Sequence, residues 1–286
     1  MVVGGVAAAE GVVAVTDLPF LGAGVSYRGA WRWEVIRHRD ELGVVEFMPE
    51  EVAGEAGLRD LVLIRQAVPV ILHGIGLSPG SADGLDPERV RHVARIAEAI
   101  EPPWFSEHIA FTRAGGVEIG HLTQLPFTRE AVTTVAANVA ELKSALPGLP
   151  LLLENIAYPF ALPGAEMTEA QFVRAILETA DVGLLLDLEN VHANALNHGY
   201  DAFEYLESLP LERVVEVHLA GGLWSEGQYV DTHTRSVPEE SWRLLEWLVP
   251  RTDIRAVIIE RDDDLPPFGD LLAEVRRAEG LLRVAR

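Results

Sequence analysis

Residues 182–187, Val182-Gly-Leu-Leu-Leu-Asp187, and residues 214–218, Val214-Val-Glu-Val-His218, set the pattern of the whole chain. Each is a short, largely apolar run that closes on a group able to hold a proton or a metal. Runs without regular polar alternation suit parallel strands buried on both faces. Six more short apolar runs occupy residues 20–26, 44–47, 69–73, 104–108, 149–154 and 256–260, and the last four also close on such a group. Between them lie amphipathic segments, among them 87–100, 128–145, 168–179 and 238–248. Helix-start signals stand at Asp86-Pro87 with Glu88, Thr128 with Glu130, and Thr168 with Glu169. Eight strand–helix alternations over about 260 residues predict an α/β fold, a (β/α)8 barrel. A doubly wound sheet is the rival. It calls for a glycine-rich phosphate loop after strand one, where this chain reads Tyr27-Arg28-Gly29-Ala30-Trp31. The Gly- and Pro-rich patches at 74–84, 159–164 and 262–269 all follow strands, so nothing splits the chain. The expectation is a loose N-terminal tail over 1–17 and one barrel domain over 18–286.

The charge balance narrows the function. Among 286 residues, 23 are Lys or Arg and 44 are Asp or Glu, for a net charge of −21. Lys143 is the only lysine. Nucleic acid and anionic membrane surfaces both require clustered cations, so neither is an expected partner. The chain has no cysteine, which excludes disulfides, thiolate metal sites and a catalytic thiol. The first seventeen residues lack the basic start of a secretory signal, and no apolar run reaches the ~20 residues of a membrane span. A cytoplasmic location is expected.

The groups that close the strands carry the chemistry. Strand three ends in His73, strand four in Glu107-His108, strand five in Glu154-Asn155 and strand six in Asp187. Strand seven ends in Glu216-Val-His218 and strand eight in Glu260. Asn190 and His192 follow strand six; Asp231 and His233 follow strand seven. In a barrel the C-terminal strand ends converge on one mouth. Several carboxylates meeting there are costly to bury without positive charge. Arg261 is the only basic residue beside these strand ends, and it cannot balance five acids. Divalent metal is the simplest remedy, and mixed nitrogen and oxygen donors suit iron, manganese, cobalt or zinc. So many donors favour two or three ions with bridging carboxylates. His38 and His92, set among arginines, read as solvated, and Asp262–Asp264 as an exposed loop face. His121, His192 and His198 stay open. The tryptophans read as packing residues, with Trp224 the one to watch.

These residues fall into an order that resembles a known family. Leu72-His-Gly-Ile-Gly-Leu-Ser78, Ser106-Glu-His108, Leu153-Glu-Asn155, Leu186-Asp-Leu-Glu-Asn190, Asn197-His-Gly199, Glu216-Val-His-Leu-Ala-Gly221 and Asp231-Thr-His233 are similar to the DUF692 family. That family comprises multinuclear non-haem iron-dependent oxidative enzymes on TIM barrels. The resemblance spans residues 20 to 265. It implies two or three iron ions (Fe2+/Fe3+), O2 as co-substrate, and oxidation of a ribosomally made precursor peptide, often at cysteine. A separate peptide-presenting partner protein is implied as well. Carried over by motif, His73, His108, Glu154 and Asp231 would hold one iron. Glu154, Asp187, His218 and Glu260 would hold a second, and Asn190, Glu216 and His233 a third. The catalytic set implied is His73, His108, Glu154, Asp187, His218 and Glu260, with Glu107 and Asn155 orienting the histidines. The chain departs from the pattern at Glu46-Phe-Met-Pro-Glu50-Glu51-Val52, Glu189, Gly222 and Thr234, which bear on the peptide more than on the metal. Two other readings fit the residues. One is a redox-neutral metal barrel, a sugar isomerase or phosphodiester hydrolase; the other is a non-catalytic metal- or peptide-binding barrel.

Overall fold

A computed structural model describes residues 17–284. Most of the tail expected over 1–17 therefore lies outside the described residues. Eight parallel strands close into a barrel in the order β1–β12–β9–β8–β7–β4–β3–β2. They are β1 (Gly22–Ser26), β2 (Val44–Phe47), β3 (Val70–His73), β4 (Phe105–His108), β7 (Leu151–Glu154), β8 (Gly183–Asp187), β9 (Val214–Leu219) and β12 (Ala256–Ile259). All eight apolar runs read from sequence become barrel strands, and closure excludes the doubly wound sheet.

Helices α1 (Arg32–Arg37), α2 (Gly54–Ala67), α3 (Pro87–Ile100), α4 (Arg129–Ala145), α5 (Glu169–Ala180), α6 (Leu188–His198), α7 (Ala202–Ser208), α8 (Glu239–Leu248) and α9 (Phe268–Val284) pack around the strands. The start signals act as expected. Asp86 caps α3 through Glu88 N, Thr128 caps α4 through Ala131 N, and Thr168 forms a capping box with Gln171 on α5. The main apolar core lies between strands and helices. A second cluster, with Val44, Ile71, Trp104, Leu152, Leu185 and Ile258, plugs the barrel interior.

Side chains of a strand alternate between its two faces, so each interior apolar residue has its next inward neighbour two positions on. Those neighbours are Glu46, His73, Ser106, Glu154, Asp187 and Glu260. The polar mouth is thus one residue layer above an apolar plug. Strand register then sets who stands beside whom: His108 pairs with Glu154 across β4 and β7, and Asp187 with His218 across β8 and β9.

Two hairpins that the sequence reading did not find rise beside the mouth. They are β5 (Phe111–Ala114) with β6 (Val117–Thr123), and β10 (Leu223–Ser225) with β11 (Gln228–Val230). Their strands are mostly exposed, so they lack the apolar runs that mark the barrel. No helix among the described residues is long and apolar enough to cross a membrane.

Candidate metal centre

The residues two steps above the plug are almost fully withdrawn from water. His73 is 3% exposed, Glu154 2%, Asp187 and His218 0%, and Glu260 5%. Three imidazoles cluster there, the His73 ring centroid lying 4.6 Å from that of His108, tilted, and 5.1 Å from that of His218, edge-on.

Each of these rings has one nitrogen committed to a fixed partner and the other facing carboxylates. His73 Nδ1 lies 2.9 Å from Ser106 Oγ, whose own proton goes to Leu72 O at 3.3 Å. The imidazole is therefore the donor, and Nε2 keeps its lone pair. His108 Nδ1 sits 3.0 Å from Gly74 O, an acceptor only, which fixes the same tautomer. The two Nε2 atoms, the nitrogens left to face the centre, approach one oxygen, Glu154 Oε2, at 3.2 Å and 3.0 Å. His218 is turned the other way: Nε2 bonds Glu46 Oε2 at 3.0 Å, while Nδ1 faces Glu260 Oε2 at 3.0 Å and Glu154 Oε1 at 3.6 Å.

Asp187 is held by its backbone and by its side chain. Oδ1 caps α6, accepting from Asn190 N at 2.6 Å, and Asn155 brackets the backbone with Asp187 N at 2.9 Å and Asp187 O at 3.0 Å. Its second oxygen faces the centre. His233, in the left-handed region at φ 52°, brings Nε2 to 2.7 Å from Asp231 Oδ2. Its Nδ1 is 3.2 Å from Asp262 Oδ2, and the Asp262 carboxylate is ion-paired on its other oxygen with Arg28.

Four overlapping groups of donors converge closely enough to share an ion: His73–Glu154–His218, Asp187–His218–Glu260, Asp187–Asp231–His233 and Glu46–Glu216–His218. A second observation bears on metal fit. Glu154 Oε2, Asp187 Oδ2, His218 Nδ1, Asp231 Oδ1 and His233 Nδ1 are buried without an aligned hydrogen-bond partner, although charged neighbours stand within a few ångströms. Lone pairs that converge on common points instead of on donors suit cations. Imidazole nitrogen and carboxylate oxygen, without thiolate, suit iron, manganese, cobalt or zinc. The residues present fit such ions.

The charges are mutually dependent. Burial alone would raise Glu154 and Glu260, yet the imidazoles of His108, His73 and His218 hold Glu154 down at about 2, and His218 and His233 hold Glu260 well below its usual range. Burial opposes charge on His108 and His218, and nearby carboxylates outweigh it, raising both. His73 is pushed down to about 3 by burial, with the neighbouring imidazoles adding to it. Asp187 is raised well above the carboxylate range by burial and by Asp231 and Glu154.

The structure redistributes some expected roles. Asp231 joins Asp187 and His233, not His73, His108 and Glu154. Glu216 does not meet Asn190 and His233; it points inward, accepting from Trp104 Nε1 at 2.8 Å beside Glu46. Asn155 orients Asp187 instead of a histidine, whereas Glu107 Oε1 does lie 3.4 Å from His108 Nδ1. Asn190 donates its backbone N–H to the capping Asp187 Oδ1 and its side-chain amide to Asn155 O at 3.0 Å. Arg261 turns away to Glu274 at 2.5 Å, and the arginine that reaches the mouth is Arg28. Asp262, read as an exposed loop face, lines the site. His121 lines the mouth; His192 packs edge-on to Tyr229 with centroids 5.2 Å apart; His198 ends α6 and bonds Tyr158 O at 3.0 Å.

Above the donors opens a cavity of about 500 Å³. Ile75, Leu122, Ile156 and Val230 give it apolar walls, and Tyr158 and Tyr229 flank it. The β10–β11 wall is tied down by Glu189, which accepts from Tyr229 OH at 2.7 Å, Gly222 N at 2.8 Å and Ser241 Oγ at 2.7 Å. Asn197 clamps Tyr229 N and O at 2.9 Å and 2.8 Å. Trp224, on the same hairpin, is 61% exposed and meets Tyr229 edge-on.

Comparison with known proteins agrees with this picture. Residues 22–283 match the family model described as RiPP precursor modification enzyme MbnB/TglH/ChrH. A UPF0276 protein of Caulobacter vibrioides is 37% identical over 264 residues, covering 91% of this chain and 94% of that protein. A UPF0276 protein of Anaeromyxobacter sp. is 37% identical over 261 residues, covering 90% and 92%. Among solved structures, an L-ribulose 3-epimerase superposes with a TM-score of 0.57 at 13% identity, covering 94% of this chain and 96% of that one. Endonuclease IV of Thermus thermophilus gives 0.54 at 19%, covering 93% and 98%. At such identities these two establish the barrel fold alone.

Proposed function

The chain belongs to the MbnB/TglH/ChrH family of RiPP precursor modification enzymes, and on that premise we propose that it is a multinuclear non-haem iron enzyme that uses O2 to oxidise a precursor peptide. The observation that carries this reading is the set of buried, unaligned donor atoms converging at the barrel mouth. His73, His108 and Glu154 would hold one ion; Asp187, His218 and Glu260, with Glu154 between the two, a second. Asp231 and His233 would hold a third with Asp187 as the bridge. Bound iron would supply one-electron redox chemistry and open positions for O2 and a substrate atom.

The chain's own residues do the rest. Ser106, Gly74 and Glu46 fix which imidazole nitrogen faces the ions. Asn155 and the helix cap hold Asp187. The apolar walls exclude water from the reacting side chain and leave room for a peptide residue reaching in from the rim. A cysteine of the precursor is the proposed target, since its thiolate would bind a metal and this chain has no cysteine to compete. A separate protein that presents the peptide is part of the proposal.

Anaerobic loading with Fe2+ followed by metal analysis tests the centre, and O2 uptake with the precursor peptide tests the reaction. Fewer than one ion per chain after ample loading would sink the multinuclear reading. A redox-neutral sugar isomerase would bind metal but give no visible absorption of coupled ferric ions and no O2 uptake. A phosphodiester hydrolase would need cations for its substrate; Arg28, which lines the cavity, is already paired with Asp262.

A further inference from the structure

We propose that Glu46 is the positioning residue that commits His218 to present Nδ1 to the metal centre, an inference that rests on the metal-binding reading of the mouth. His218 differs from the two imidazoles beside it. His73 and His108 face the centre with Nε2, and their outer nitrogens are satisfied close by, at Ser106 and Gly74. His218 faces it with Nδ1, and its outer nitrogen reaches across the barrel to a carboxylate on β2, 172 positions away in the chain.

The alternatives to Glu46 are poor. Glu216 is the other carboxylate near Nε2, but its Oε1 stands 3.7 Å off and its Oε2 is taken by Trp104. Glu46 approaches to 3.0 Å in good alignment and is itself 1% exposed. A carboxylate in this place fixes the ring plane and tautomer and makes the opposite nitrogen a better donor. Strand alternation places it there: Glu46 lies two residues beyond Val44 of the interior plug, in the same layer as His73 and Glu154.

The test uses Co2+ as a redox-quiet probe, titrated anaerobically against a competing chelator and followed by its visible absorption. Glu46→Leu is expected to weaken binding at the His218 site by roughly 10–100-fold while other ions keep wild-type affinity. Glu46→Gln, which retains an acceptor oxygen for Nε2–H, is expected to recover most of that loss. Glu46→Asp serves if the leucine variant fails to fold, because shortening the side chain withdraws the acceptor and should also weaken that site. Circular dichroism of the metal-free variants checks folding. Unchanged Co2+ affinity in folded Glu46→Leu or Glu46→Asp would overturn the proposal and leave the metal reading standing. Equal losses in the glutamine and leucine variants would overturn it too, by making Glu46 a ligand instead of a positioning group. A wild-type chain that binds no Co2+ would overturn both.

Discussion

Asn155 and Asp187 grip one another across two neighbouring strands: Asn155 Oδ1 accepts from Asp187 N at 2.9 Å, and Asn155 Nδ2 donates to Asp187 O at 3.0 Å. The pair works like one more rung of the sheet just past the last ladder bonds of β7 and β8. It decides where the Asp187 carboxylate stands, since the backbone it fixes is also the start of α6. Replacing Asn155 with Ala should therefore strand a buried N–H and C=O, costing about 2–4 kcal/mol in a thermal or urea melt. Asn155→Asp keeps an acceptor for Asp187 N but sets a buried carboxylate against Asp187 O, and should cost at least as much. If both variants melt like the wild type, Asp187 is held by its helix cap alone.

Glu189 makes a parallel prediction on the other side of the mouth. One carboxylate gathers Tyr229 OH, Gly222 N and Ser241 Oγ, and so couples the β10–β11 hairpin to α6 and α8. Burial holds its pKa up at about 7, with the three hydrogen-bond donors pulling against that rise. Glu189→Leu should expose the loop that carries Asp231 and His233. Limited proteolysis should then cut the 223–230 hairpin faster, and the ion held by those two residues should be lost first. Tyr229→Phe removes one bond of the three and should cost about 1 kcal/mol with metal binding kept.

Much of this centre was legible because strand period and barrel closure act together. The pairs Ile71 and His73, Leu152 and Glu154, Leu185 and Asp187, and Ile258 and Glu260 each place a polar group two steps above the apolar plug. Glu46 obeys the same rule above Val44. The sequence marks it only as a departure from the family pattern, bearing on the peptide more than on the metal, because Phe47 continues the apolar run and the strand does not visibly end in a polar residue. Arg28 and Asp262 meet only because β1 closes against β12, a contact between residues 234 positions apart that no local pattern announces. Glu189 stands out in the sequence only as a departure from the family pattern, and its burial shows once α6 is seen to be covered where it leaves the barrel, with Glu189 at 0% exposure. The two hairpins were missed because the apolar-run criterion finds buried strands, and these are mostly exposed.

The protonation pattern sets how stability and metal affinity vary with pH. His108 and His218 are raised in the folded, metal-free protein, so their contribution is full below about pH 6.5 and fades as pH rises through their folded values. Glu46, raised to about 8, likewise favours the folded state more at low pH and loses that contribution between about 4.5 and 8. Glu154 works the other way: lowered to about 2, it stabilises above about pH 4.5 and fails as pH falls toward 2. His73, lowered to about 3, also destabilises the fold as pH drops below about 6.5. Metal must displace the protons on His108, His218 and Asp187, so its affinity should rise with pH. Melting temperatures with and without Co2+ should lie closer together at pH 6 than at pH 8. A gap that shrank on going alkaline would contradict the assigned donors.

Asp187 offers the sharpest test, because one substitution should act with opposite sign in the two states. In the metal-free protein its carboxyl is fully buried beside Asp231, Glu154 and Glu260, and burial and repulsion resist its ionisation. Asp187→Asn keeps an oxygen for the α6 cap and removes the group whose ionisation the site resists. Without metal it should stabilise the chain by about 1–2 kcal/mol, or roughly 2–5 °C at this size. With metal the same change removes a ligand of one ion and the bridge to another, so most of the metal-induced rise in melting temperature should vanish, and turnover with it. His108→Ala should abolish turnover as well, but without the metal-free gain, because it deletes a cation that holds Glu154 in its charged form. Two variants with the same loss of activity and contrary effects on the metal-free melt would separate a site built to hold cations from one that merely tolerates them.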